Sequence, residues 1–471
     1  MAISYDKKIM ECVLRSVMSE GNVAQGKAIK SICKSPKPLF ITGKGGSGKT
    51  TFLKRIIPAL KNAVVVAPTG VAAVNAGGQN IHSFFRIGMQ PYIPEIRKGA
   101  FMDNCEYKFN GGSEKILQNI KYLIIDEISM VRPDLLDNVA DILRHARGDK
   151  DPFGGVKLIM VGDLFQLPPV IKEDFFREIY DTSYFFSSKS LMASGMEMVS
   201  FEKIYRQKDE KFISVLNKVR EGQMDDDVFD TINSRCIQSD NNQGYVEIVT
   251  TNSKATAINE MRISSLPGSL RKLEAVINGD YPKDAPVEKT LFLKEGSRVM
   301  ITRNGGEYFN GSLGTVKGEI EVVLDKPKDD ENTKVVITPC SFEKVKYVRN
   351  GYKIESEVVG AIIQYPIKIG YSITIHKAQG LTLDAAMMDV SNSFETGQLY
   401  TALSRVKSLD GLYLRQPIPK TVKTSDQVVI NFYKRTLGNG GIVKPVPMEE
   451  LENSMINLST GSEIDFAEFN L

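Results

Sequence analysis

Four short, unbroken apolar runs mark the first third of the chain, and each ends in glycine or polar positions. They are PLFITGKGG from Pro38, AVVVAPTG from Ala63, YLIIDE from Tyr122 and KLIMVGD from Lys157. Runs this short, rich in β-branched residues and without alternation, predict strands buried on both faces, as in a parallel sheet. Stretches with helical spacing of apolar positions lie between several of them, such as TTFLKRIIPAL and MVRPDLLDNVADILRHA. Alternating strand and helix predicts an α/β fold whose polar clusters, all at carboxyl ends of strands, converge on one crevice.

The pattern recurs further on. YVEIVTTNSKATAINEMR from Tyr245, ITIHKAQGLTLDAAMMDV from Ile373 and ALSRVKSLDGLYLR from Ala402 read as pieces of a second α/β unit. Between about 267 and 369 the texture changes to short β-rich runs with Asn-Gly and Gly turns, the chemistry of antiparallel hairpins. The expected organisation is a first α/β domain over 1–195 with a small excursion at about 90–113, and a second from 196–266 and 370–437. An inserted β module covers 267–369, and a Gly-, Pro- and acid-rich flexible tail runs over 438–471.

Composition narrows the class. Of 471 residues, 42% are hydrophobic and 25% charged, which is ordinary globular usage. No run approaches a membrane span, and MAISYDKKIMECVLRS lacks a secretory or transit pattern, so an intracellular location is expected. The five cysteines form no CxxC pair and there are three histidines, which argues against a zinc or redox motif. Removing the six acids between Pro445 and Leu471 leaves 60 basic against 51 acidic residues, a modestly basic body that suits a polyanionic partner without requiring one.

The chemistry sits in the strand ends. Residues 43–50, GKGGSGKT, match the phosphate-loop pattern in full. Gly43, Gly45, Gly46, Ser47 and Gly48 let backbone N–H groups wrap phosphates, Lys49 neutralises charge, Thr50 offers a hydroxyl to Mg²⁺, and Thr51 follows in the helix. Asp126 and Glu127 end a buried strand, where one carboxylate can hold Mg²⁺ and the other activate water. Gln166 in GDLFQLPPV suits γ-phosphate sensing, though Asp163 and the two prolines equally suit a plain turn. Arg206 and Arg405 are candidate fingers across a cleft; a lone surface ion pair is the bland alternative for either. Thr69, His82 and Ser83, with Thr251, Asn252 and His376, supply small donors suited to phosphate and sugar contacts. Phe84 and Phe85 offer stacking faces or core packing, and Lys377 a phosphate contact or a solvated charge.

In order along the chain, APTGVAAVNAGGQNIHSFF, DEISM, GDLFQLPPV, YRQ, YSITIHKAQGLTLD and LYTALSRVKSLDGLYL resemble the Pif-type DNA helicases of superfamily 1, related to RecD. The resemblance spans about Gln25 to Leu414. It implies two RecA-like domains, a wedge element near 90–113 and an SH3-like insertion. It also implies that Gln25 reads adenine, that Gln379 and Gly380 lie near the γ-phosphate, and that ATP with Mg²⁺ drives 5′-to-3′ movement on single-stranded DNA. Forked or structured DNA such as G-quadruplexes would be unwound by a monomer, with dimerisation on DNA left open. A P-loop kinase or metabolic ATPase with a small substrate, and a nucleotide-switched binding module without unwinding, are the alternatives.

Overall fold

In a computed structural model the described residues are 5–460, apart from 89–90, 103–110, 172–175, 238–244, 280–284, 304, 306, 309, 319, 326–333, 351–352 and 394. The four apolar runs become strands Leu39–Gly43, Ala63–Ala67, Tyr122–Asp126 and Lys157–Val161. They join a seven-stranded sheet in the order 442–443, 196–201, 39–43, 157–161, 122–126, 63–67, 79–80. Every pairing in it is parallel except that of Ile442–Val443. Successive residues serve opposite faces. Phe40, Leu123 and Leu158 join one apolar cluster with the helix Pro133–Arg147, while Leu39, Ile41, Ile124 and Ile159 join another with the helices Lys7–Ser19, Val23–Lys34 and Lys49–Ile56. Burial on both faces is why these strands carry no polar alternation.

A second, four-stranded parallel sheet has the order 372–374, 246–249, 386–389, 412–414. The two sheets are the cores of two RecA-like lobes, and one apolar cluster runs through both, from Phe40 and Leu158 to Ile248 and Met388. The insertion is antiparallel, as its turns predicted. One sheet of five strands (order 334–336, 321–324, 313–317, 298–301, 367–369) encloses Val299, Ile301, Val316, Val322 and Ile367, and a long hairpin pairs 340–350 with 353–364.

Three expectations need correction or restriction. The boundary at 195/196 is misplaced, because Met196–Phe201 pairs in parallel with Leu39–Gly43 and completes the first sheet. The segment from 438 is not a loose tail over its described length. Ile442 and Val443 pair with Glu197 and Met196, covering a sheet edge. The helix Met448–Thr460 then buries Leu451 beside Ile96 and Met192. Residues 461–471, with the last acids, lie outside the described residues. Of the excursion near 90–113, residues 91–102 and 111–113 are described, and the first of these stretches contains the small hairpin Ile96–Arg97/Ala100–Phe101. Its turn is held from the C-terminal helix, where Glu452 accepts the N–H groups of Lys98 (2.7 Å) and Gly99 (2.6 Å).

Candidate nucleotide site and nucleic-acid track

The phosphate loop joins Leu39–Gly43 to the helix Lys49–Ile56, with Gly48 left-handed at the helix start. Gly46 has φ +81°, and a Cβ there would stand 2.4 Å from Cβ of Arg206, so both backbone shape and the approach of the second-lobe connection require glycine. Lys49 is turned back on its own loop, donating to the carbonyls of Gly43 (2.7 Å) and Lys44 (3.2 Å). Burial depresses its ammonium, opposed by Asp163, Glu127 and Asp126. Thr50 hydrogen-bonds Asp126. Thr51 is exposed.

Asp126 and Glu127 follow the strand as expected. Burial, then the neighbouring Glu127, push the Asp126 carboxyl up to about 7. Burial also raises Glu127, against the pull of Lys49 and Arg405. Glu127 adopts φ +52°, ψ 44°, a left-handed shape that is uncommon for a residue with a Cβ and is found where function over-determines the backbone. Its Oε2 accepts from Nε2 of Gln379 at 2.9 Å, joining the first lobe's carboxylate to the second lobe.

The second lobe and its connection supply the cations. Arg405 is 2% exposed and is clamped by the Thr401 carbonyl (Nε, 2.8 Å) and the Ser404 hydroxyl (2.6 Å). A Cβ at Gly45 would lie 3.6 Å from its guanidinium, which places Arg405 at the phosphate loop. Arg206 donates to the Ser404 carbonyl at 3.0 Å, and its charge is disfavoured by burial and by Arg405 nearby. Two crowded guanidiniums beside a lysine form a site in want of an anion. Three buried oxygens here have no protein partner, Oε1 of Gln25, Oγ of Ser47 and Oε1 of Gln379. Unpaired polar atoms inside a protein are costly unless a ligand meets them, so the residues fit a nucleoside triphosphate with a divalent cation at Thr50 and Asp126. Gly380 is exposed at the edge of the site, with φ +81°.

Gln166 is buried but 3.5 Å from Asp163, at the limit of a hydrogen bond. Asp163 itself is fully buried and paired with Arg220 at 3.0 Å.

The candidate track residues are more dispersed. Thr69 accepts from the N–H of Ala72 at 3.2 Å. His82 and Ser83 open the short helix Ile81–Phe85, capped by Asn80, with Ser83 exposed. Phe84 is half-buried and packs on the core, edge to face with the buried Phe85 at 4.8 Å, so core packing describes both. Thr251 caps the helix that starts at Asn252, and both are exposed. His376 and Lys377 are exposed on one turn of helix, and the insertion reaches the first lobe nearby, Asn310 donating to Asn75 at 3.4 Å.

The model of the PIF1-like helicases matches residues 20–229. A Bacteroides Pif1 crystal structure in complex with ADP-AlF4 is 35% identical, with a TM-score of 0.82 over 90% of this chain and 99% of that one. The chain belongs to the PIF1-like helicase family. The ATP-dependent DNA helicase PIF1 of Danio rerio is 34% identical over 420 residues, 87% of this chain; the chain spans 63% of that relative's length. The Bacteroides protein bound to ssDNA has a lower TM-score, 0.65, at 34% identity. In this PIF1-like chain no described helix is long and apolar enough to cross a membrane.

Several residues of this family member escaped sequence reasoning. Arg220 lies over the Phe165 ring at 3.9 Å while pairing with Asp163. Gln207 donates to the carbonyls of Ser404 (3.2 Å) and Val406 (3.0 Å), fixing the turn that carries Arg405. The Tyr205 ring would meet a Cβ at Gly48 at 3.5 Å, and its hydroxyl donates to Asn22 at 2.6 Å. Tyr400 accepts the Gly45 N–H at 3.0 Å and donates to Asp163 at 3.3 Å. YRQ and LYTALSR could have flagged Tyr205, Gln207 and Tyr400 as neighbours of the chosen arginines. Nothing local marks Arg220.

Proposed function

We propose that this chain is an ATP-dependent DNA helicase that moves along single-stranded DNA, 5′ to 3′ by family resemblance, and opens forked or structured duplexes, G-quadruplexes among them. The carrying observation is that the phosphate loop of one lobe faces Arg405 and Arg206, and its Glu127 faces Gln379, all from beyond that lobe. Charge on a phosphate would then be gripped from both lobes, and its departure would remove that shared grip. Glu127 is the base that orients water, Gln166 and Gln379 sense the outer phosphate, and the two arginines stabilise developing charge. Mg²⁺, held by Thr50 and Asp126, would neutralise charge between the outer phosphates. Gln25 would read the base. Thr69, His82, Ser83, Thr251, Asn252, His376 and Lys377 would contact the strand, with the half-buried Phe84 beside them. The hairpin at 96–101 is the described part of the proposed wedge, and the antiparallel insertion the proposed SH3-like module.

Relatives whose structures are named for bound ssDNA and for forked dsDNA support this reading. A small-substrate kinase gives the second lobe no purpose. The deciding experiment measures ATPase with and without single-stranded DNA, in the wild type and in Lys49→Ala. Turnover should rise with DNA and vanish in the variant, while strand affinity in fluorescence anisotropy is kept. Turnover indifferent to DNA refutes the motor.

A further inference from the structure

The Gly45 amide belongs to the loop that wraps phosphates, yet its N–H is already taken. It donates to the Tyr400 hydroxyl at 3.0 Å, an atom brought in from the other lobe by the helix Gln398–Leu403. That hydroxyl has one proton, and it points to Oδ2 of Asp163 at 3.3 Å. Asp163 cannot return a proton, because Arg220 at 3.0 Å and Lys49 keep it ionised. The polarity of the chain is therefore fixed, with Tyr400 donating to Asp163 and offering its lone pairs to Gly45. Tyr400 is 2% exposed, so water does not compete for this place.

We propose that the Tyr400 hydroxyl is a stand-in for a nucleotide phosphate oxygen, occupying the Gly45 N–H in the nucleotide-free protein and yielding it when phosphate enters the loop. The exchange is favourable because a charged phosphate oxygen is the stronger acceptor. It is reversible because the phenol stays nearby, oriented by Asp163, and retakes the amide as product leaves. Tyr400 is thus a positioning residue. Nucleotide binding breaks one hydrogen bond between the lobes, and product release restores it, on the same helix that leads into Arg405.

This rests on the loop being a nucleotide site. The test uses the full chain without DNA, with a fluorescent N-methylanthraniloyl ADP as probe, comparing wild type and Tyr400→Phe. The ring is kept, and only the competing acceptor is removed. Loss of one neutral hydrogen bond from the free state should tighten ADP binding about fivefold, carried by slower dissociation. A purely structural tyrosine would lower the melting temperature and leave the affinity unchanged, and a loop preorganised by Tyr400 would bind ADP more weakly in the variant; either result overturns the proposal. Hydrogen exchange in the unaltered chain is a second check independent of the variant. Without nucleotide the Gly45 amide should be protected, and rapid exchange there also overturns the stand-in. If the wild type does not bind the probe at all, the nucleotide reading itself fails.

Discussion

Replacing Arg220 by methionine would strand Asp163. The carboxylate is fully buried and its partner's side chain only 9% exposed, so neither is relieved by solvent. What remains to Asp163 is weak, the Phe165 N–H at 3.3 Å, the Tyr400 hydroxyl at 3.3 Å and the Gln166 amide at 3.5 Å. Removing one member of a buried pair costs about 3–5 kcal/mol, and loss of the guanidinium over Phe165 adds about 0.5–1 kcal/mol. The expected deficit at pH 8 is about 4 kcal/mol. In the wild type, burial pushes the Asp163 carboxyl up but Arg220 and Lys49 outweigh it, leaving its pKa below the ordinary value. Its contribution is therefore present above about pH 4 and fades only in more acid solution. Without Arg220, burial raises the acid, the folded state takes up a proton, and the deficit shrinks as pH falls from 8 to 5. Urea denaturation followed by circular dichroism and tyrosine fluorescence, clean in a chain without tryptophan, measures this at both pH values. Adding Asp163→Asn should restore most of the stability. A deficit below about 1 kcal/mol, one independent of pH, or a double variant no better than the single, would refute the pairing argument.

Gly46→Ala places a methyl 2.4 Å from Arg206 in a left-handed backbone, so ATPase should fall at least tenfold with the far sheet still folded, as read by turnover and circular dichroism. Asp126, raised to about 7 in the free protein, lowers stability as pH climbs from about 4 to about 7; binding of Mg–nucleotide at pH 6.5 should release up to about one proton, seen as a dependence of calorimetric heat on buffer ionisation enthalpy. Arg405→Ala should cut turnover by about 10³ or more with nucleotide affinity nearly intact, compared in single-turnover and equilibrium titrations. Strand binding should weaken with salt at a log–log slope of about −0.7 for each phosphate neutralised, and a flat response would speak against backbone contacts.

Much of this architecture is legible from residues alone because its central strands are sealed on both sides, leaving the apolar runs at 39–43 and 157–161 with no second interpretation. The loop and the Asp126–Glu127 pair are legible for the same reason, since their chemistry begins where the apolar run stops. Met196–Phe201 is only partly buried, without regular alternation, and sits next to a domain change, so its allegiance depended on a parallel partner 158 residues earlier. Arg220 ends the amphipathic helix Glu210–Arg220 and looks like a charge favouring a helix C-terminus. Its true partner is 57 positions upstream. Tyr400 reads as one more core aromatic, because a single hydroxyl's destination leaves no trace in spacing. Acidic and Gly-rich composition hid Ile442, Val443 and Leu451, whose sheet edge and helix contact exist only once the first lobe is folded.

The return of the chain to the first sheet has a mechanical meaning. The polypeptide leaves that sheet after Phe201, builds the other lobe, and comes back through the helix Gln427–Gly438 to pair at Ile442. Phe186 stacked on Phe432 at 4.2 Å and the Tyr184 hydroxyl on Asp426 at 3.0 Å fasten that returning strap. A body hung by one cord can spin, but a body hung by two can only swing about the line that joins them. In the proposed motor, the stroke would have its axle written into the covalent path, and each round of fuel would be spent along one arc.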